Sequence, residues 1–261
     1  MSETERSTIW LFGSSSPLGQ ALWNSLKPQS RVVCFGRTPP DSNVDFHDLD
    51  LSQAREIEIA VRKAYADSPP QGAVFCQRYR PATGISELEA LLQGLVVELA
   101  PLFSLVEVIE SGPKPSPLRS LVLLSSVAGR ESHPDIPIHY QILKAATLAT
   151  VRSLTARLAP IGIRINCLVL GEFLKGPRSS YPEYKLRHFS EIEKFTVDGR
   201  ICGLGDIFHA VRFLLSKDAA VITGQELTLD SGLSLLGAEA LLRQVVTPND
   251  EHTRPLNCFR D

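Results

Sequence analysis

Ser125-Ser126-Val127-Ala128-Gly129, followed after ten residues by Tyr140-Gln141-Ile142-Leu143-Lys144, decides how this chain is read. Val122-Leu123-Leu124 before it has the continuous apolar character of a buried strand, and the stretch after Lys144 has helical periodicity. A pair of hydroxyls therefore closes a strand. Tyr140 and Lys144 stand four apart on the helix, so their side chains share one face a turn apart. An ammonium group beside a phenol stabilises its anion and suits it to pass protons near neutral pH. Ser126, at the carboxyl end of the strand, can hold a substrate oxygen while Tyr140 gives or takes its proton. Taken alone, Tyr-x-x-x-Lys is an ordinary helical spacing, so the rest of the chain must give it meaning.

Working outward, the 261 residues are 43% apolar, which suffices for one large domain with a buried core. The net charge of −2 comes from interspersed acids and bases, without the basic stripe that nucleic acid or anionic lipid requires. Five scattered cysteines without a Cys-x-x-Cys pair suit a reducing cytoplasm. The polar start lacks the regions of a signal peptide, and no uninterrupted apolar run approaches ~18 residues, so no membrane span is expected.

Upstream, Ile9–Phe12 reads as a strand that runs through Gly13-Ser14-Ser15-Ser16 into a helix opened by Pro17-Leu18-Gly19. Gly13 permits the sharp turn, Pro17 suits a first helical turn, and the helix N-terminus offers a site for a pyrophosphate. Arg31–Phe35 is the second strand. In a dinucleotide-binding sheet its end faces the adenosine ribose, where Gly36-Arg37 favours a 2′-phosphate and hence NADP over NAD. Asp48-Leu49-Asp50-Leu51-Ser52 follows, with Ser52 as the expected N-cap of a helix over 53–66. Gly72–Cys76 is a further strand running into Gln77-Arg78-Tyr79-Arg80. Helical spacing then extends from Ser86 to Ser111, with Pro101 expected to kink it.

Downstream, Gly162–Gly171 reads as a strand and a turn, and the polar stretch 172–199 as a lid. Its basic residues, with Arg78 and Arg80, hint at an anionic substrate. A helix over 206–215, a last strand over 225–230 and a peripheral tail over 237–261 complete the chain. Strands alternating with helices imply a single-domain α/β fold, a doubly wound, Rossmann-like parallel sheet whose strand ends converge on one rim.

With these residues in place, the chain resembles the short-chain dehydrogenase/reductase family over about 9–236. The resemblance rests on Gly13-x-x-x-Pro17-Leu18-Gly19, Asp50-Leu51-Ser52, Ser126-x-x-Gly129, Tyr140-x-x-x-Lys144, Gly162-Ile-Arg-Ile-Asn166, Gly199-Arg200 and Ile222-Thr-Gly-Gln-Glu-Leu-Thr-Leu-Asp230. It implies hydride transfer to or from a nicotinamide cofactor, with Tyr140 as acid/base and Ser126 positioning the substrate oxygen. Lys144 would hold the nicotinamide ribose, and Asp50 and Leu51 would flank the adenine. Gly13, Ser15, Ser16, Leu18, Arg37, Cys76, Gln77, Gly171 and Phe173 complete the expected contacts to NADP(H). Homodimers or homotetramers built through the 86–111 and 140–158 helices are implied as well.

Departures from the family pattern are informative. Pro17 replaces a middle glycine, Cys76-Gln77-Arg78-Tyr79 replaces Asn-Asn-Ala-Gly, and Glu98 stands where a helical Asn completes the catalytic set. Leu170-Gly171 replaces Pro-Gly without the usual Thr after it, and Ser231-Gly232 replaces Gly-Gly. Glu98 is expected to face the site as its fourth member. A carbonyl reductase or alcohol dehydrogenase using NADP(H) is the leading expectation. A nucleotide-binding regulator that has lost turnover, or a non-redox enzyme of the same fold, would also accommodate these changes.

Overall fold

A computed structural model describes residues 6–237, with the Asp198 side chain excepted. Its first strand, β1 (Thr8–Phe12), is buried at every position, as a central parallel strand covered on both faces must be. Next come α1 (Pro17–Leu26), β2 (Arg31–Gly36), β3 (Asp45–Asp48), α2 (Ala54–Asp67), β4 (Gly72–Phe75), α3 (Glu87–Ser111) and β5 (Ser120–Ser126). The second half supplies α4 (Ile138–Leu158), β6 (Arg164–Leu170), β7 (Phe173–Leu174), α5 (Glu183–Glu193), β8 (Cys202–Gly203), α6 (Leu204–Leu215) and β9 (Glu226–Leu229).

Seven strands form one parallel sheet in the order β3-β2-β1-β4-β5-β6-β9. The winding reverses between β1 and β4, and a crevice opens there above the carboxyl ends of the strands. Helices α2, α3 and α4 cover one face, and α1 and α6 cover the other. On the first face Trp10, Phe12, Phe35 and Phe75 stack across three strands, with Phe12 4.4 Å from Phe35 and 4.9 Å from Phe75 between ring centroids. Each such fully buried ring contributes roughly 1.5–3 kcal/mol. His47 extends the stack, 4.8 Å from Phe35 and nearly parallel to it.

One expectation needs adjustment, and three others gain detail. The helix expected from residue 53 starts at Ala54, and Ser52 does not cap it: Gln53 holds the cap position without a side-chain bond. The cause is Asp50, whose Oδ1 accepts the Ser52 N–H at 2.9 Å and whose carbonyl accepts that of Gln53, locking Ser52 into a turn. Pro101 lies inside α3, which is assigned as one helix from Glu87 to Ser111, with Ser86 accepting the Glu89 N–H as N-cap. By length and a mean hydropathy of 1.8 over 18 residues, α3 could also cross a bilayer, which counting uninterrupted apolar residues does not reveal. Here it packs between α2 and α4, with 56% of that window buried. Finally, the 172–199 stretch contains β7, which pairs with β8, and α5, whose Phe189 is buried. The tail expected to be peripheral lies, from residue 238 on, outside the described residues.

Candidate active site

The turn from β1 into α1 is built on close backbone approach. Gly13 adopts φ +88°, and a Cβ there would fall 2.5 Å from the Gln77 nitrogen. Gly19 packs against that turn from the helix side, where a Cβ would fall 2.2 Å from the Gly13 oxygen. Ser16 fastens the turn, since its hydroxyl accepts the Gly19 N–H at 2.9 Å and donates to the Gly13 carbonyl at 3.1 Å. Pro17 occupies the first turn as expected, so α1 directs its N-terminus at the crevice.

A second set of contacts brings α4 to the same crevice. Ser125 is buried and donates to the Lys144 carbonyl at 2.9 Å. Gly129 lies under the helix so closely that a Cβ would meet the Lys144 carbonyl carbon at 2.7 Å. Of the two serines that end β5, one therefore fastens the helix, while half-buried Ser126 accepts the Ala128 N–H at 3.3 Å and keeps its own proton to donate.

The result is a cleft of about 480 Å³. Gly13, Ser15, Ser16 and Leu18 form one wall, and Arg37, Asp50 and Leu51 one end. Cys76 and Gln77 line it from β4, and Ser126, Tyr140 and Lys144 from β5 and α4. Gly171 and Phe173 line it from β6 and β7. Every residue read from the sequence as a cofactor contact borders this one space. Glu98 does not: its side chain is 3% exposed and lies behind Lys144, with Oε2 accepting from Nζ at 2.7 Å. Glu98, expected to face the site as its fourth member, meets the site through Lys144 from behind and not through the cleft wall. Its Oε1 accepts the Tyr79 N–H at 3.1 Å, and its backbone carbonyl accepts from Gln77 Nε2 at 2.9 Å. Glu98 thus ties α3, α4 and the strand end after β4 together.

Lys144 and Tyr140 do share a face, with Nζ 5.3 Å from the phenol ring centroid. Arg78 covers the ring as well, its guanidinium carbon 4.6 Å from the centroid. At the other end, the Ser52 N–H and the more distant Arg37 guanidinium hold the Asp50 carboxyl below the ordinary carboxylate range. Burial pushes the Cys76 thiol up to about 12, and it donates to the Phe12 carbonyl at 3.1 Å. It is therefore a packing residue in the floor and not a nucleophile. Tyr79, Val97, Leu124 and Lys175 also line the cleft. Neither Tyr79 nor Val97 carried a local signal, because their positions depend on how α3 meets the loop after β4.

The cleft fits a nicotinamide dinucleotide on two structural grounds. The tight turn at Gly13 leads into a helix N-terminus suited to a pyrophosphate. The Gln77 Oε1 atom is buried at the floor with no partner among the described residues, and would accept from a ligand hydroxyl or amide.

Comparisons with known proteins agree with this geometry. A family model described as enoyl-(acyl carrier protein) reductase matches residues 85–234. Isoepoxydon dehydrogenase of Aspergillus clavatus is 28% identical over 242 residues, covering 86% of this chain and 93% of that protein. In shape, the chain is similar to 4-hydroxyisoleucine dehydrogenase complexed with NADH, at TM-score 0.75 and 18% identity over 88% of this chain and 100% of that one. It is similar too to ElxO with NADP bound, at TM-score 0.71 and 17% identity over the same shares. With its parallel sheet, its cleft at the strand ends and the matched family model, the chain belongs to the short-chain dehydrogenase/reductase family of oxidoreductases, which bind a nicotinamide cofactor and act on small molecules.

Proposed function

We propose that this protein reduces a carbonyl compound, or oxidises the corresponding alcohol, with NADP(H). The observation that carries the reading is the meeting of Ser126, Tyr140 and Lys144 on one wall of the cleft, with the Lys144 ammonium beside the Tyr140 ring. The Ser126 hydroxyl donates to the substrate oxygen, and Tyr140 supplies the proton that this oxygen takes on reduction. Donors aimed at the oxygen stabilise the charge that develops there. When bound, the nicotinamide supplies or accepts the hydride. Gly13, Ser15, Ser16 and Leu18 hold the pyrophosphate end, Asp50 and Leu51 flank the adenine, and Gln77, Gly171 and Phe173 lie along the remainder. Arg37, exposed at the adenosine end, supports NADP over NAD through a 2′-phosphate contact.

A regulatory reading, nucleotide binding without turnover, draws support from one feature: the Lys144 ammonium already has a carboxylate partner in Glu98. Following NADPH absorbance with a panel of ketones and aldehydes, beside direct titration of NADP(H), separates the two. Oxidation of NADPH by any member supports the enzyme; tight cofactor binding with none supports the regulator.

We further propose that copies associate through α3 and α4. Leu88 and Leu92 on α3, at 66% and 56% exposure, and Ile138 on α4, at 57%, are apolar side chains left to solvent. Light scattering on the purified chain tests this, and a monomeric mass would refute it.

A further inference from the structure

The lining of the cleft is strongly one-sided in charge. Arg37, Arg78, Arg80, Lys144 and Lys175 border it, whereas Asp50 is the one carboxylate among the lining residues. Asp50 lies at the adenosine end with Arg37. At the reacting end, Lys144 is matched from behind by Glu98. Nearby Glu172 is occupied by Lys185 at 3.1 Å and His188 at 2.8 Å. Arg78, Arg80 and Lys175 have no ion pair among the described residues, and all three are exposed to the cleft. Arg78 and Arg80 come from the loop after β4 and Lys175 from the turn after β7, and all three border the same cleft. Partial burial, and then Arg78, Arg80 and Lys185, pull the Lys175 ammonium below its ordinary value, with Glu172 opposing.

Keeping three like charges around a cleft costs free energy in the empty protein, and that cost is relieved when a ligand brings the opposite charge. The position of Arg78 fixes where. Its guanidinium lies over the Tyr140 ring, so an acidic group held by it is only a few bonds from a carbonyl at the phenol. We infer that the substrate is an anionic carbonyl or hydroxy compound, whose carboxylate or phosphate is held by Arg78, Arg80 and Lys175 while Tyr140 addresses the adjacent carbonyl. This rests on the redox reading above for the reaction and on the cleft alone for the recognition.

Matched pairs test it: 3-oxobutanoate against its methyl ester, and dihydroxyacetone phosphate against dihydroxyacetone. Calorimetric titration into protein with and without NADP⁺, where no hydride is available, measures recognition apart from turnover. At about 50 mM salt, an anion should bind roughly tenfold or more tightly than its neutral partner, the scale of one charge-assisted contact. The preference should shrink to about threefold or less in the Arg78→Gln/Arg80→Gln double variant, and whichever anion wins identifies the group. Neutral members binding equally well, or none of the four binding, would overturn the inference. So would a double variant that loses NADP⁺ affinity but keeps the charge preference, because the arginines would then serve the cofactor phosphates. Retained preference without NADPH oxidation by any member would leave the recognition standing and count against the redox reading.

Discussion

The Lys144 ammonium sits 2.7 Å from Oε2 of Glu98, and the two side chains are only 6% and 3% exposed. A buried pair of this kind gains Coulomb energy but has lost its hydration, so the balance shows when one partner is removed. Glu98→Leu should lower stability to denaturant by about 3–5 kcal/mol, because it leaves an ammonium buried without a partner. Adding Lys144→Met should restore most of that loss while leaving the protein without turnover. Equal midpoints for parent, single and double variants would mean that the pair is not closed in solution.

Tyr140→Phe keeps the ring under Arg78 and removes only the proton. Cofactor affinity should stay within about twofold, while turnover falls ~10²-fold or more, the scale of a lost general acid. A variant as fast as the parent would rule out the proposed proton donor.

Arg37→Ala should remove the preference for NADP(H). A charge-assisted bond to the 2′-phosphate contributes about 1.5–3 kcal/mol, or roughly 10- to 150-fold in affinity. Fluorescence titration of both cofactors reads this directly, and an unmodified protein that binds NAD(H) as tightly as NADP(H) contradicts the assignment.

Thiol chemistry gives an independent check on packing. Burial holds Cys34, Cys76 and Cys167 at about 12 and Cys202 at about 11. Thiolate is therefore scarce at pH 8, and access is poor as well. In a Cys258→Ser background, Ellman's reagent should release almost no colour from native protein and four equivalents after denaturation. Rapid labelling of any of the four in native protein would contradict the packing of the sheet.

Acid should loosen the segment after β6. Partial burial of Glu172 works against ionisation, but hydrogen bonds from His188 and Lys185 outweigh it and hold the carboxyl below its ordinary 4.5. A depressed folded-state value contributes stability that is fully present above the unfolded value and is lost as pH falls through the folded one. Limited proteolysis within 172–199 should therefore accelerate below about pH 4.5, and Glu172→Gln should show the faster cutting already at neutral pH. Cutting rates that match the parent at neutral pH would show that this anchor does not restrain α5.

What the sequence revealed follows from how local each signal is. Ser16, Pro17 and Gly19 announce a strand-turn-helix, because capping and close approach are settled within a few residues. Tyr140 and Lys144 share a face by helical spacing alone. The apolar runs of β1, β2 and β5 show because parallel strands are covered on both faces. Ser52 misleads for a reason just as local: Asp50 holds it in a turn ahead of the helix, and its hydroxyl accepts from the Gln53 side chain instead. Glu98 is different. Its position was visible, but its direction was set by the packing of α3 on α4, across 46 residues of chain. The stacking of Arg78 on Tyr140 has the same origin, joining a strand end to a helix through tertiary geometry.

Helix α3, apolar enough for a bilayer yet packed on two sides by α2 and α4, has a consequence for synthesis. It leaves the ribosome before α4 exists, and domains made from the N-terminus onward expose such surfaces until their partners arrive. During that interval one flank of α3 has no cover, and the Glu98 carboxylate has no ammonium to meet. A chain halted before residue 138 therefore presents a long, greasy helix with an unmatched charge in it, a substrate for chaperones or for aggregation. Delivery of α4 ends both conditions together, because the helix that covers α3 also carries the Lys144 ammonium.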